Sequence, residues 1–497
     1  MLSDRLFLLC TFVMVSCLVL GGGTRPGFLS DAVIQLLAIP LLLIALRRLA
    51  GLPSLKGMRW ALTLCLAIVL IPSLQLIPLP PSVWTALPGR EPAIEAFALL
   101  ARELPWMPLS LSPRATWLSL LSLLPPIAIF LATLLLGHGE RRALSLIVVA
   151  FGVLSAFVGL AQVAEGPSSS LRFYEITNPS EAVGFFANRN HFAAALYAVL
   201  ALAAAWAVEA ASPPQPGRAR LDTRWIVPVV ASLAALVILV AAQAMARSRA
   251  GLGFTVAALV GATAIALLDR RNASGITPAK LLLATAAGAV IYATQFTLYR
   301  ILDRLAVDPM TDSRVTVARL TSEAAQLYMP FGSGMGTFVP VYGLQEQAAD
   351  AVMDTYINRA HNDFLELWLE TGFVGLALAA AVLIWLASRS LRVWRRDAPG
   401  TDLDLSIARA ATIAIALLAA HSLVDYPLRT AAMMAIAAFA CGLLIAPPQG
   451  APERLSRKER SVRGARAAPK PAASNEPISQ HPPDRWGSDI EWPKEWR

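Results

Sequence analysis

Apolar runs of about 20 residues recur along nearly the whole chain, and this one feature limits the folds open to it. The runs cover 6–20, 32–50, 60–77, 116–136, 143–163, 191–211, 225–244, 250–268, 281–298, 364–387, 407–423 and 431–446. Each is close to the length a helix needs to cross the hydrocarbon of a bilayer, where every backbone polar group must be satisfied inside the protein. Of the 497 residues, 56% are apolar and 15% charged, against roughly a quarter charged in a soluble globule. One water-facing domain does not hide that much apolar side chain. The expectation is an all-α, polytopic membrane protein with about twelve transmembrane helices. The first run reads as an uncleaved helix, since its flank is nearly neutral and more spans follow. Cys10, Cys17, Cys65 and Cys441 all fall inside apolar runs, which excludes a disulfide framework and a paired-cysteine metal site.

Lys and Arg number 42 against 33 Asp and Glu, a net charge of +9. The placement of the cations matters more than their sum, and no nucleic-acid partner is expected. Basic residues concentrate in alternate short connections: Arg47, Arg48, Lys56 and Arg59; Arg141 and Arg142; Arg218, Arg220 and Arg224; Arg270, Arg271 and Lys280; Arg389, Arg392, Arg395 and Arg396. These connections therefore share one side, the cytoplasm. An even number of spans returns the C-terminus to that side. The chain divides into a membrane domain, 1–446, and a basic, Pro-rich tail, 447–497, expected to be disordered. Three connections on the opposite side are long: 80–113, 165–190 and 300–359, the last large enough for helices of its own. Chemistry is expected on that face.

Of five histidines, His191, His361 and His421 lie at the outer ends of expected helices, each in a polar cluster. The first cluster runs from Gly184 through Asn188, Arg189 and Asn190 to His191. A second, Ser248-Arg249, occupies a tight outer turn that holds its arginines at the mouth of the bundle. Snorkelling to lipid phosphate is the bland reading of those arginines, although their side runs against the positive-inside bias. In the third, Asp312 reads as the cap of a helix carrying Arg314. Gly332, Gly334 and Gly336 follow, then Tyr342. The alternating glycines lack the Lys-Ser/Thr of a P-loop and permit either tight backbone packing or close approach of a ligand.

That loop ends in Ala360-His361-Asn362-Asp363, at the start of a membrane helix. The positive end of the helix dipole disfavours imidazolium, so the His361 ring is expected to be neutral and able to accept a proton. Glu366 and Glu370 lie one and two turns below Asn362. Carboxylates that deep must be paired, and a buried arginine is the expected partner of Glu370. In the last cluster, His421 to Arg429, Asp425 and Arg429 are expected to brace each other. Three histidines without His-x-x-x-His spacing do not read as a metal site, and no cofactor is expected.

Taken together, these clusters resemble the O-antigen ligase and Wzy-type polymerase superfamily of bacterial polytopic glycosyltransferases. Arg314, Pro330, the three glycines, Tyr342 and the segment 360–372 carry the specific part of the resemblance, with 184–191, Ser248-Arg249 and 421–429 in support. The long basic tail departs from the pattern. The resemblance implies a multi-pass inner-membrane enzyme, C-terminus cytoplasmic, that works at the periplasmic face without a metal. The donor would be a glycan on undecaprenyl pyrophosphate, and the acceptor a hydroxyl on lipid A-core (ligase), a growing glycan (polymerase) or a protein (oligosaccharyltransferase). The ligase-like assignment is preferred. His361 would be the base for an inverting attack. Arg249 and Arg314, with Arg189, would hold the pyrophosphate, since guanidinium gives planar, always-charged hydrogen bonds to a leaving group gaining charge. Asn190, His191, Gly332, Gly334, Gly336, Tyr342, Asn362, Asp363, His421, Asp425 and Arg429 would support them. The rival from another class is a lipid-linked-sugar flippase, but that needs polar groups at mid-membrane and an inverted repeat, whereas here they gather at one face.

Overall fold

A computed structural model describes residues 2–25, 27–211, 223–268, 309–347, 357–395 and 400–447, with isolated positions 285, 288 and 398. In chain order the helices are α1 (Leu2–Leu20), α2 (Leu29–Ala50), α3 (Arg59–Gln75), α4 (Pro81–Trp84), α5 (Glu91–Leu99), α6 (Pro113–Ser122), α7 (Leu124–Leu135) and α8 (His138–Glu165). They continue with α9 (Arg189–Ala211), α10 (Thr223–Ala246), α11 (Arg249–Leu267), α12 (Pro309–Leu327), α13 (Phe338–Gln345), α14 (Asp363–Val393), α15 (Asp402–His421) and α16 (Ala431–Leu443). Among the described residues the β structure is one two-residue pairing, β1 (Pro78–Leu79) with β2 (Met107–Pro108). The all-helical, multi-pass expectation holds. Among the described residues eight helical segments are long and apolar enough to cross a membrane, and Arg5–Leu20, Arg59–Gln75 and Ala431–Leu443 are shorter apolar helices. The run 281–298, apart from positions 285 and 288, and nearly all of the tail lie outside the described residues.

The apolar residues divide between two solvents. Leu36, Leu66 and Ile384 stand more than half exposed on α2, α3 and α14, as a lipid-facing surface requires. α9 is the reverse, buried along almost all of its length. Its run of alanines lets neighbouring backbones come close, and α8, α10, α11 and α15 pack around it. Pro125 and Pro126, which lack an N–H, leave a one-residue interruption between α6 and α7, yet Pro113–Leu135 together form one candidate span, as expected over 116–136.

α8 and α9 run in opposite directions through the bundle, which separates its two ends. At one end Arg142 clasps Asp404 through two 2.7 Å hydrogen bonds, and His138 approaches the same carboxylate at 3.2 Å. At the other end the start of α9 and the end of α15 bring His191 and His421 together. The end of α1 joins them, because the Ala432 N–H donates to the Gly21 carbonyl at 3.0 Å.

α14 is interrupted at Gly372 (φ 59°, ψ −148°). The break leaves carbonyls without helical partners, and the glycine turn fills the gap. The N–H groups of Ser333 and Gly334 donate to the carbonyls of Leu369 and Glu370, both at 2.9 Å, and the Phe373 N–H donates to Pro330 at 3.0 Å. Gln75 adds a side-chain N–H to the Glu370 carbonyl at 2.9 Å. At Gly332 (φ 80°), a Cβ would lie 2.5 Å from the Thr371 nitrogen, so only glycine lets the two backbones touch. Of the two readings open for this turn, the structure shows backbone packing. Tyr342 belongs to the same region as a packing residue, buried and stacked on Phe338 at 5.4 Å. Asp312 is no cap: α12 already begins at Pro309.

Candidate functional site

Asn362 starts α14. Its Oδ1 accepts from the Phe364 and Leu365 N–H groups, both at 3.0 Å, and its Nδ2 donates to the Leu423 carbonyl at 2.9 Å. The next residue is tied to the same turn: the Asp363 N–H donates to the Ser422 carbonyl at 2.8 Å, and the Ser422 hydroxyl to Asp363 Oδ2 at 2.7 Å. His361, just ahead of the cap, takes a left-handed backbone (φ 52°). A non-glycine residue there is strained by about 1–3 kcal/mol, and the stitching on either side holds it.

His361 Nδ1 lies 3.0 Å from Asp425 Oδ1, with side-chain exposures of 16% and 1%. Burial alone would resist ionisation of Asp425. The His361 hydrogen bond, with the nearby His361 and His191 rings and the Arg314 cation behind it, outweighs burial and holds the carboxyl well below its usual range. An ionised carboxylate only accepts, so Nδ1 is the donor, and in the neutral ring the lone pair then belongs to Nε2. The Tyr426 ring meets His361 edge-on at 5.0 Å, and its hydroxyl hydrogen-bonds Asn188. Burial, reinforced by Asp425, pushes the Tyr426 hydroxyl well above the ordinary tyrosine range, so it stays protonated.

Arg314 reaches this turn from α12, its Nη1 donating to the Val424 carbonyl at 3.4 Å. Arg249 stands exposed in the first turn of α11, where Ser248 caps the Gly251 N–H at 3.1 Å. Gly251 abuts Ala193, two residues beyond His191, which places that turn at the same end of the bundle. Arg189 is paired with Glu181 at 2.7 Å, and Asn190 donates its backbone N–H to Asn188 Oδ1 at 2.7 Å.

Arg429 does not brace Asp425. It reaches Asp363 at 3.4 Å, Glu366 at 3.5 Å and Glu370 at 3.1 Å, while Arg359 takes Glu366 at 2.7 Å. The reason is periodicity: the three carboxylates fall on one face of α14, and a single half-buried guanidinium spans them. Burial favours the neutral form of Arg429, but the three acids outweigh it and push its pKa well above the usual value. The expected arginine partner of Glu370 is therefore Arg429.

A cavity of about 830 Å³ opens beside this cluster. Its walls are aliphatic, from Ile34, Ile71, Leu118, Leu378 and Met434 among others. Its polar lining includes Arg25, Arg114, Arg359, Asp363, Ser422 and Arg429. Sequence reasoning passed over Arg25, Arg114 and Arg359. The signal was present, since all three lie in connections on the face where positive charge is not expected, as Arg249 does. Tyr426 was missed because an aromatic residue beside a proline carries no such mark.

Fold and site together define a multi-pass membrane protein with a histidine–carboxylate pair and arginines at one end of its helical bundle. Residues 234–380 match the family model described as O-antigen ligase, which supports the O-antigen ligase/Wzy-type superfamily and, with it, a ligase- or polymerase-type glycosyltransferase. The matched segment holds Arg249, Arg314, the glycine turn and His361, and ends before His421. No curated protein matches the chain.

Proposed function

We propose that the protein is an O-antigen ligase-like glycosyltransferase that moves a glycan from undecaprenyl pyrophosphate to an acceptor hydroxyl at the periplasmic face of the inner membrane. The observation that carries this reading is the pairing of His361 Nδ1 with buried Asp425, while Arg314 reaches the neighbouring Val424 carbonyl of the same turn; in the neutral ring Nε2 is then the acceptor. His361 Nε2 takes the proton of the acceptor hydroxyl as that oxygen attacks the anomeric carbon. The bond to the pyrophosphate breaks on the opposite face, inverting the centre, and its electron pair leaves with the phosphate. Arg314 and Arg249 neutralise the charge that develops there. Arg189, already engaged by Glu181, lends its charge from further back. The aliphatic cavity suits the donor's polyprenyl chain, and its lining includes Arg359, two residues before the base.

The test is transfer of a lipid-linked glycan to lipid A-core by the purified protein in lipid nanodiscs. H361A is expected to abolish transfer at unchanged protein level, with lipid-linked donor accumulating. Full turnover by that variant would refute the base assignment.

A further inference from the structure

Behind His361 lie four buried polar atoms that the site described so far does not use. His191 is fully buried, and neither of its ring nitrogens has a hydrogen-bond partner among the described residues. Nε2 of His421 and Oδ2 of Asp425 stand in the same condition. His421 commits its other nitrogen to the Tyr197 hydroxyl at 3.0 Å.

These atoms share one neighbourhood. The Tyr426 ring lies between two imidazoles, edge-on to His191 at 4.8 Å and to His361 at 5.0 Å. The Asp425 N–H donates to the His421 carbonyl at 2.9 Å, which sets the two side chains one turn apart. His191 interacts electrostatically with Asp425, His421 and His361. Buried polar atoms left unmade are costly, and a phenyl ring would fill the position of His191 without that cost. Packing alone does not explain two imidazoles here.

We propose that His191 is a positioning residue of the transfer reaction: with His421 it anchors Oδ2 of Asp425 through shared water, fixing the carboxylate that holds His361. The inference rests on the glycosyl-transfer reading above. When Nε2 of His361 takes the acceptor proton, the new imidazolium bears on Asp425. A carboxylate gripped at both oxygens cannot swing away from it. His191 itself touches no substrate.

The experiment compares H191F and H191Q in the nanodisc transfer assay, with the parent and H361A alongside. H191F keeps the aromatic edge against Tyr426 and deletes both nitrogens, whereas H191Q loses the ring and keeps a donor and an acceptor. The anchoring role predicts a kcat for H191F at least tenfold below that of H191Q, with the donor KM unchanged. A packing role predicts the reverse order, and H191F equal to or above H191Q overturns the inference. H421N gives a second measure should H191F fail to accumulate. Its amide mimics Nδ1 toward Tyr197 and lacks Nε2, so a kcat about tenfold below the parent is expected, and parental kcat overturns the proposal. A parent protein with no transfer overturns the glycosyl-transfer reading itself. Transfer by the parent and by H191F alike overturns only the anchor.

Discussion

Replacing Asp425 by Asn tests the histidine–carboxylate pair with almost no change of volume. At 1% exposure the carboxylate faces the His361 ring across 3.0 Å. Charge centres about 4 Å apart at an effective dielectric of about 20 interact by about 4 kcal/mol. Imidazolium exists only once the proton has moved, so this attraction stabilises the transition state over the ground state. Its full loss corresponds to about 10³ in kcat. An amide that turns its NH2 toward Nδ1 also places the ring proton on Nε2, where the acceptor must deliver its own, and the base is lost outright. We expect D425N to lower kcat by about 10²- to 10³-fold with the donor KM unchanged. The assay is transfer rate against donor concentration, repeated from pH 5 to 8. The pH range follows from linkage. A carboxyl whose folded pKa lies below its unfolded value of about 3.9 contributes stability above that value and loses it only as pH falls through the folded one. Asp425 therefore stays ionised across the whole range, and a loss of activity on acidification is not its protonation. A D425N rate within threefold of the parent at every pH would refute the assignment.

R314K keeps the charge but loses the planar fork, and we expect the donor KM to rise about tenfold; an unchanged KM argues for lipid anchoring alone. R429M leaves Asp363, Glu366 and Glu370 with Arg359 as their remaining guanidinium, which predicts a loss of about 3–5 kcal/mol. The readout is thermal unfolding in detergent, where adding E370Q recovers part of the loss. G332A forces a Cβ to 2.5 Å from the Thr371 nitrogen, and about 1–3 kcal/mol of strain should appear as a lowered melting temperature.

Much of this architecture is legible one segment at a time. The run that became α9 reads as a helix because apolar length and alanine content are local. His361 stood out for an equally local reason, a titratable ring at the first turn of a membrane helix. The break in α14 did not, because Gly372 looks like any other glycine in an apolar helix. Only the arrival of Ser333 and Gly334 at the exposed carbonyls of Leu369 and Glu370 explains it.

Read alone, the chain determined its solvent, its helices and the polar residues at their ends, because a run of about 20 apolar side chains has one stable environment whatever its neighbours do. Tertiary structure decided the partnerships. Asp425 and Arg429 sit four residues apart, close enough for a pair, yet one faces His361 and the other three acids on α14. The packing of α14 against the turn 422–430 sets that choice, and a Coulomb partner is selected by distance in space, not along the chain.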